Sequence, residues 1–164
     1  MYNDYLNDSF DDAMDEYNSS MDDYESDLTD LKMQEWDARD ECKRQLREVD
    51  EYWDRENNFI KTIGIYTNEE IAKILEEHEE VRRSKKKEIL ERFDFDMEMI
   101  AFDKEQLEMD REQAVFDLEF AMQERESAQM ELDQAQDMNS RQIAAHNEEL
   151  AAYADFMASL DEDK

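Results

Sequence analysis

Only one glycine and no proline occur among the 164 residues of this chain. Glycine and proline are the residues that most often end helices and form turns, so a chain almost without them has few places to turn. The single glycine, Gly64, lies between two long segments with a seven-residue apolar repeat. We therefore predict an all-α antiparallel hairpin of coiled-coil type without β-sheet. Its parts are a first helix over 1–63, a corner at 64–67, a second helix over 68–138 and a helical extension over 139–164.

The corner carries several local signals that agree with one another. Gly64 can adopt the left-handed conformation that ends a helix. Thr67 reads as the N-cap of the next helix, and Glu70, three residues later, completes a capping box. Tyr66 and Ile71 are placed as a hydrophobic staple would place them. The second helix is therefore expected to begin at Asn68.

The first segment carries one apolar seam of heptad type. Three polar residues, Glu35, Gln45 and Glu56, interrupt this seam. A flanking row of Leu46, Trp53 and Ile60 widens it near the corner, so burial is expected to be deepest there. The seam residues in the two heptad rows are Phe10, Tyr17, Tyr24, Leu31, Ala38, Tyr52 and Phe59, and Met14, Met21, Leu28, Cys42, Val49 and Ile63.

The second segment has apolar rows on two different faces. One row contains Phe93, Ile100 and Leu107 and continues through alanines at 114, 121, 128 and 135. Because residues two apart differ by about 200° around a helix, a single antiparallel neighbour cannot cover both rows. A second subunit or another protein is expected to cover the other row. The candidate interface residues on that row are Phe95, Met99, Phe102, Met109 and Phe116.

The two segments differ in length. In a hairpin with its corner near residue 65, residue i lies beside about residue 130−i, so residues beyond 130 have no partner within the hairpin. An apolar stripe nevertheless continues to the end of the chain. We expect a kinked or projecting helix there rather than a turn back near 137–140. The residues of this stripe are Ile143, Leu150, Tyr153, Met157 and Leu160.

The formal net charge is −30. Such a charge opposes compaction and disfavours direct binding to nucleic acid or to an anionic membrane, whereas basic proteins and other basic surfaces are suitable partners. Residues 1–31 include Asp4 and ten further acids but no Lys or Arg, so residues 1–30 are the part most prone to disorder on their own. The basic residues form a predicted band, which is either a docking site for an acidic partner or a solvated face neutralised by nearby carboxylates. The band consists of Lys43, Arg44, Arg47, Arg82, Arg83, Lys85, Lys86 and Lys87.

No motif of the sequence indicates an enzyme, a cofactor or a metal site. Phosphate-binding loops and EF-hands require glycines that are absent here. His78 and His146 lack the neighbours that helical zinc or di-iron sites need, and both are expected to be seam or flanking residues. Cys42 lies in the seam and cannot form an internal disulfide, which fits a reducing compartment. With no apolar run of membrane-spanning length and no visible signal peptide, the sequence predicts an intracellular protein or one inside an assembled particle.

These features favour a non-enzymatic structural or assembly protein that oligomerises or docks in a larger complex. Virion, scaffold and collar proteins share this composition, although no motif supports that analogy. The alternative is an acidic nucleic-acid mimic that binds a basic protein, which the charge favours. An adaptor rod that displays sites at its ends is a third possibility.

Overall fold

The computed structural model describes the backbone of residues 2–162 and the side chains of residues 8–159. Two helices, α1 (Tyr2–Thr62) and α2 (Asn68–Glu162), pack against each other as a hairpin. No strand occurs within residues 2–162. The predicted all-α hairpin is therefore confirmed. Asp4 and Leu160 lie outside the residues whose side chains are described.

The contacts divide the chain into two compact units. The corner unit is Ser20–Glu112, and it contains the turn together with the adjoining parts of both helices. The terminal unit combines Met1–Ser19 with Gln113–Lys164.

The corner has the local structure that the sequence predicts. Gly64 has φ of 75°, which is the left-handed region that ends the first helix. The Thr67 backbone N–H donates to Glu70 Oε2 at 2.8 Å, and the Glu70 N–H donates to Thr67 Oγ1 at 3.2 Å. These two reciprocal bonds form a capping box, and α2 begins at Asn68 as expected.

The second helix does not turn back at 137–140, so that alternative is wrong. Ser140 donates its hydroxyl hydrogen to the Gln136 carbonyl at 2.9 Å, as a serine inside a helix does. Arg141 pairs with Asp137 at 2.8 Å, one turn away. The helix continues to Glu162, and every described side chain from residue 133 onward is exposed.

Burial is greatest in the middle of the corner unit. The three buried hydrophobic residues are Leu31, Cys42 and Ile100, all of which belong to the predicted seam. The expectation that burial is deepest beside the corner is wrong, since Phe59 is 56% exposed there. The reason is that the row containing Phe59 leaves the helix–helix contact before it reaches the corner.

Near the corner, the helix–helix contact moves from one apolar row of α1 to the flanking row. It does so because the spacing of the covered residues departs from the heptad. An uninterrupted heptad row drifts by about 20° per repeat on a straight helix, and an eleven-residue spacing of 4-4-3 cancels that drift. Tyr52 lies on the abandoned row and is 49% exposed. Leu46, Trp53 and Ile60 on the flanking row are half-buried instead. The covered residues with 4-4-3 spacing are Ala38, Cys42, Leu46 and Val49 on α1, and His78, Arg82, Lys86 and Ile89 on α2.

The register is displaced from the simple 130−i expectation. That rule places residue 106 opposite Tyr24, but the Tyr24 hydroxyl donates to Glu108 at 2.7 Å. It places residue 95 opposite Glu35, but Lys104 contacts Glu35 at 2.5 Å. Side chains lean toward the N-terminus of their own helix, so partners in an antiparallel pair meet at higher summed numbers than their Cα levels indicate.

Candidate docking face on the second helix

The outward side of α2 in the corner unit carries an apolar row that α1 does not cover. We call Phe95, Met99, Phe102 and Met109 the outer stripe. Their side chains are 61%, 46%, 54% and 58% exposed, respectively. Ile100, only two residues from Phe102, is 7% exposed because it faces α1. The two apolar rows of this helix therefore lie on different faces, and the hairpin covers only one of them.

The outer stripe has the spacing of a coiled-coil seam. If Phe95, Phe102 and Met109 occupy d positions, Met99 and Gln106 occupy the a positions. Gln106 contributes to this face as a polar member, since its amide donates to Met109 Sδ at 3.9 Å. The outer stripe and Gln106 thus occupy consecutive a and d positions over two heptads. No helix among the described residues covers them.

Both sides of the outer stripe are acidic without exception over this stretch. We call these e and g positions the acidic flanks. All six carboxylates are exposed, and none has a cation within 4 Å among the side chains of residues 8–159. The acidic flanks consist of Asp96, Asp103 and Asp110 on the e side and Glu98, Glu105 and Glu112 on the g side. The sequence predictions missed them because the acids are so frequent throughout the chain that this pattern emerges only once the stripe defines the frame.

The terminal unit carries the same sequence pattern on its own part of α2. Phe116 is 61% exposed and Phe120 is 55% exposed. Asp117 and Glu119 occupy the corresponding e and g positions. Phe116 is one of the predicted interface residues, whereas Phe120 is not. Its spacing of four residues from Phe116 is the signal that could have identified it.

The opposite face of α2 carries cations instead, and these face the acidic first helix. Lys104 contacts Glu35, and the hydrogen bonds of Lys104 and Arg39 to this carboxylate lower the pKa of Glu35 to about 2. Nearer the corner, the guanidinium of Arg82 pairs with Asp50, while Lys86 Nζ lies 2.5 Å from the same carboxylate. Hydrogen bonds from these two cations lower the pKa of Asp50 as well. Ion pairs between the helices therefore accompany the apolar seam.

In both units, a guanidinium group of α2 also lies over an aromatic ring of α1. In the corner unit, the guanidinium of Arg111 lies 5.5 Å from the ring centre of Tyr24. The hydrogen bond to Glu108 raises the pKa of that tyrosine. In the terminal unit, the guanidinium of Arg125 lies 4.5 Å from the ring centre of Phe10. At both positions a cation of α2 meets a π-face of α1.

Neighbouring carboxylates neutralise most of the predicted basic band. Arg44 pairs with Glu41 and Glu48 on its own helix, at 2.5 and 2.6 Å. Lys85 and Lys87 also pair within α2, and Arg82 and Lys86 pair with α1. These pairs favour the solvated-face interpretation, while the docking role stays a prediction. The band members without an ion pair among the described side chains are Lys43, Arg47 and Arg83.

An open groove with a volume of about 380 Å³ lies between the helices near the corner. It exists because the helix–helix contact has moved to the flanking row, which leaves Tyr52 and Val81 exposed. Trp53 forms one wall, and its ring lies 4.8 Å from that of His78. His78 Nδ1 lies 2.8 Å from Asn57 Oδ1, which assigns this histidine to the helix–helix contact as predicted.

The cysteine and the residue types that can ligate a metal are the remaining candidates for chemistry. Cys42 is buried, and that burial raises the pKa of its thiol, which opposes formation of the reactive thiolate. Among the described residues, no group of three or more His, Cys, Asp or Glu side chains could hold a metal ion. Within the same residues, neither helix has an apolar stretch long enough to cross a membrane.

No family model matches the chain, and neither the curated proteins nor the solved structures include a significantly similar member.

Proposed function

We propose that this chain is a non-enzymatic assembly protein whose hairpin docks into a larger complex through the outer stripe. The observation that carries the proposal is the exposed a/d row on α2, which lies on a different face from the seam that α1 covers. In this role α2 is the shared helix between two neighbours, one from its own chain and one supplied by the complex. A second copy of the chain and a different structural protein are both possible suppliers.

The size of the outer stripe supports this role. A phenylalanine buries about 150–250 Å² when it is fully covered, so four large side chains that are about half exposed present on the order of 300–500 Å². Exposed apolar patches of this size are often functional on soluble proteins. The heptad spacing adds that the matching surface is another helix, because consecutive a and d residues form holes that fit the knobs of a helix.

The test compares two double variants with matched chemistry. Phe95→Asp with Phe102→Asp disrupts the outer stripe, and Met33→Asp with Trp36→Asp alters two equally exposed residues on α1, at 61% and 66%. The native complex is sized in extracts of cells that make each protein, and far-UV circular dichroism confirms helicity. We expect the stripe variant alone to be released from the complex. An unchanged complex in the stripe variant, or an equal loss in both variants, contradicts the proposal.

A nucleic-acid mimic is the second candidate, and the charge of −30 favours it. A mimic binds its target through carboxylates arranged like phosphates, so its binding weakens steeply with added salt and competes with duplex DNA. It does not need the phenylalanines of the outer stripe. Complex formation that survives the Phe95→Asp and Phe102→Asp changes but is lost in high salt would favour the mimic over the assembly protein.

A further inference from the structure

We infer that the outer stripe binds an amphipathic helix of another protein, and that this helix carries Lys or Arg at the positions flanking its own apolar row. The inference rests on the proposed docking function and specifies the chemistry of the partner. It follows from the acidic flanks, since e and g residues determine which helices pair in a coiled coil.

Symmetric pairing with a second copy is opposed by charge. In a parallel pair the g residues of one helix face the e residues of the other, which would bring glutamates against aspartates. In an antiparallel pair g faces g and e faces e, which would bring acid against acid again. Like-charged neighbours of this kind are destabilising, and here all six flanking positions are acidic. The apolar row therefore fits a helix of opposite flanking charge better than it fits itself.

A groove beside the stripe strengthens the negative field on the e side. It has a volume of about 340 Å³ and lies between α1 and α2. Asp103 and Asp110 from the e side meet Asp27 and Asp30 of α1 along its walls, with no basic residue among the lining side chains. Long Lys or Arg side chains of a helix lying on the stripe can reach this groove with their charged ends while their methylene stems cover apolar surface.

The cost of removing water from the acidic flanks also favours a partner helix with basic flanking residues. A carboxylate that loses water on docking must gain a new partner, because an unpaired buried charge is costly. The flanks have no cation of their own within 4 Å among the described side chains, so the docking helix has to supply the cations. A helix with neutral flanks would leave six carboxylates partly desolvated and unpaired.

The experiment uses purified full-length protein and two designed helical peptides with an identical Leu/Ile core. One peptide carries Lys at every e and g position, and the other carries Glu. Affinity is measured by fluorescence anisotropy at about 0.15 M salt, where the screening length is about 8 Å. We expect the Lys peptide to bind at least about tenfold more tightly than the Glu peptide, because several flanking pairs change from repulsive to attractive together.

Two sets of variants separate this site from general attraction to an acidic protein. Changing Phe95 and Phe102 to Ala leaves the charge unchanged, and we expect it to abolish binding of the Lys peptide. Reversing four flanking acids to Lys should transfer the preference to the Glu peptide. Reversing four exposed acids on α1 changes the net charge equally and should leave the preference unaltered. The flank set is Asp96, Glu98, Asp103 and Glu105, and the control set is Asp22, Asp23, Asp37 and Asp40.

Three other outcomes of these experiments would overturn the inference. Equal binding of the two peptides would show that the flanks do not select the partner. Lys-peptide binding that survives the two alanine changes would show attraction to the whole acidic surface. Sedimentation of the protein alone as a dimer that dissociates on the alanine changes would make a second copy the occupant. The docking function itself fails on different evidence, namely a native complex that is insensitive to Phe95→Asp and Phe102→Asp.

Discussion

Truncating two residues of α2 that are only two positions apart should have very different consequences for the stability of the fold. Ile100 is 7% exposed in the seam, and Phe102 is 54% exposed on the outer stripe. Replacing a buried Ile by Ala typically costs 2–5 kcal/mol. The seam is formed by only two helices and water can enter from the side, so we expect the lower end, about 2 kcal/mol. Phe102→Ala removes a larger side chain but also improves helix propensity by about 0.5 kcal/mol, and we expect a change within about 0.5 kcal/mol.

The assay is urea denaturation of the purified protein followed by far-UV circular dichroism. A lower midpoint with an unchanged slope for Ile100→Ala identifies a loss of stability rather than a changed unfolded state. Ile100→Val is the graded control, and it should cost about 0.5–1.5 kcal/mol. The assignment of the two faces is refuted if Phe102→Ala destabilises the protein as much as Ile100→Ala does. It is equally refuted if both variants unfold like the parent.

Three further changes test the corner and the seam. Gly64→Ala should destabilise the hairpin by about 1 kcal/mol, because φ of 75° is strained for alanine although no atom lies within 4 Å of the added Cβ; a neutral result in the same urea assay would contradict this. Thr67→Ala should lower the stability by about 1 kcal/mol because it removes the capping box. Thr67→Ser keeps the hydroxyl group and is the control expected to preserve stability. Glu35 has a pKa near 2 in the folded protein against 4.5 as its ordinary value, so its pairing with Lys104 stabilises fully above about pH 4.5 and is lost as the pH falls toward 2. Melting curves of Glu35→Gln and the parent should therefore converge over that range, and a constant difference would show that the carboxylate is not the cause.

The corner was predictable because its signals are local. The left-handed preference of glycine and the hydrogen bonding of a capping box depend on a few consecutive residues. Gly64, Thr67 and Glu70 therefore indicated the turn and the start of α2 without knowledge of the packing. The buried seam residues Leu31 and Ile100 were also predictable, since both lie on uninterrupted apolar rows.

The contact near the corner was not predictable from the heptad alone. Tyr52 and Phe59 continue the apolar row of α1, and nothing in their residue type distinguishes them from seam residues. Their exposure arises from the angle that a heptad row accumulates around an α-helix unless the two helices supercoil enough to cancel it. The extent of supercoiling is determined by the two helices together and not by the residues of one row. The register also differed from the expectation. Side chains such as Lys104 lean toward the N-terminus of their own helix, so the residues that touch are not those whose Cα atoms lie at the same level.

The distribution of charge around α2 differs between its two apolar faces. Toward α1 the helix presents Arg82, Lys86 and Lys104, which pair with Asp50 and Glu35. At the e and g positions that flank the outer stripe, from Asp96 to Glu112, it presents only carboxylates. If the acidic first helix packed on the outer stripe, it would meet repulsion along both flanks and leave the cations of the other face unpaired. The charges thus direct α1 to one apolar row by stabilising the correct pairing and penalising the wrong one. By the same reasoning, we expect the outer stripe to disfavour acidic helices, whether from this chain or from another copy, and to accept a basic one.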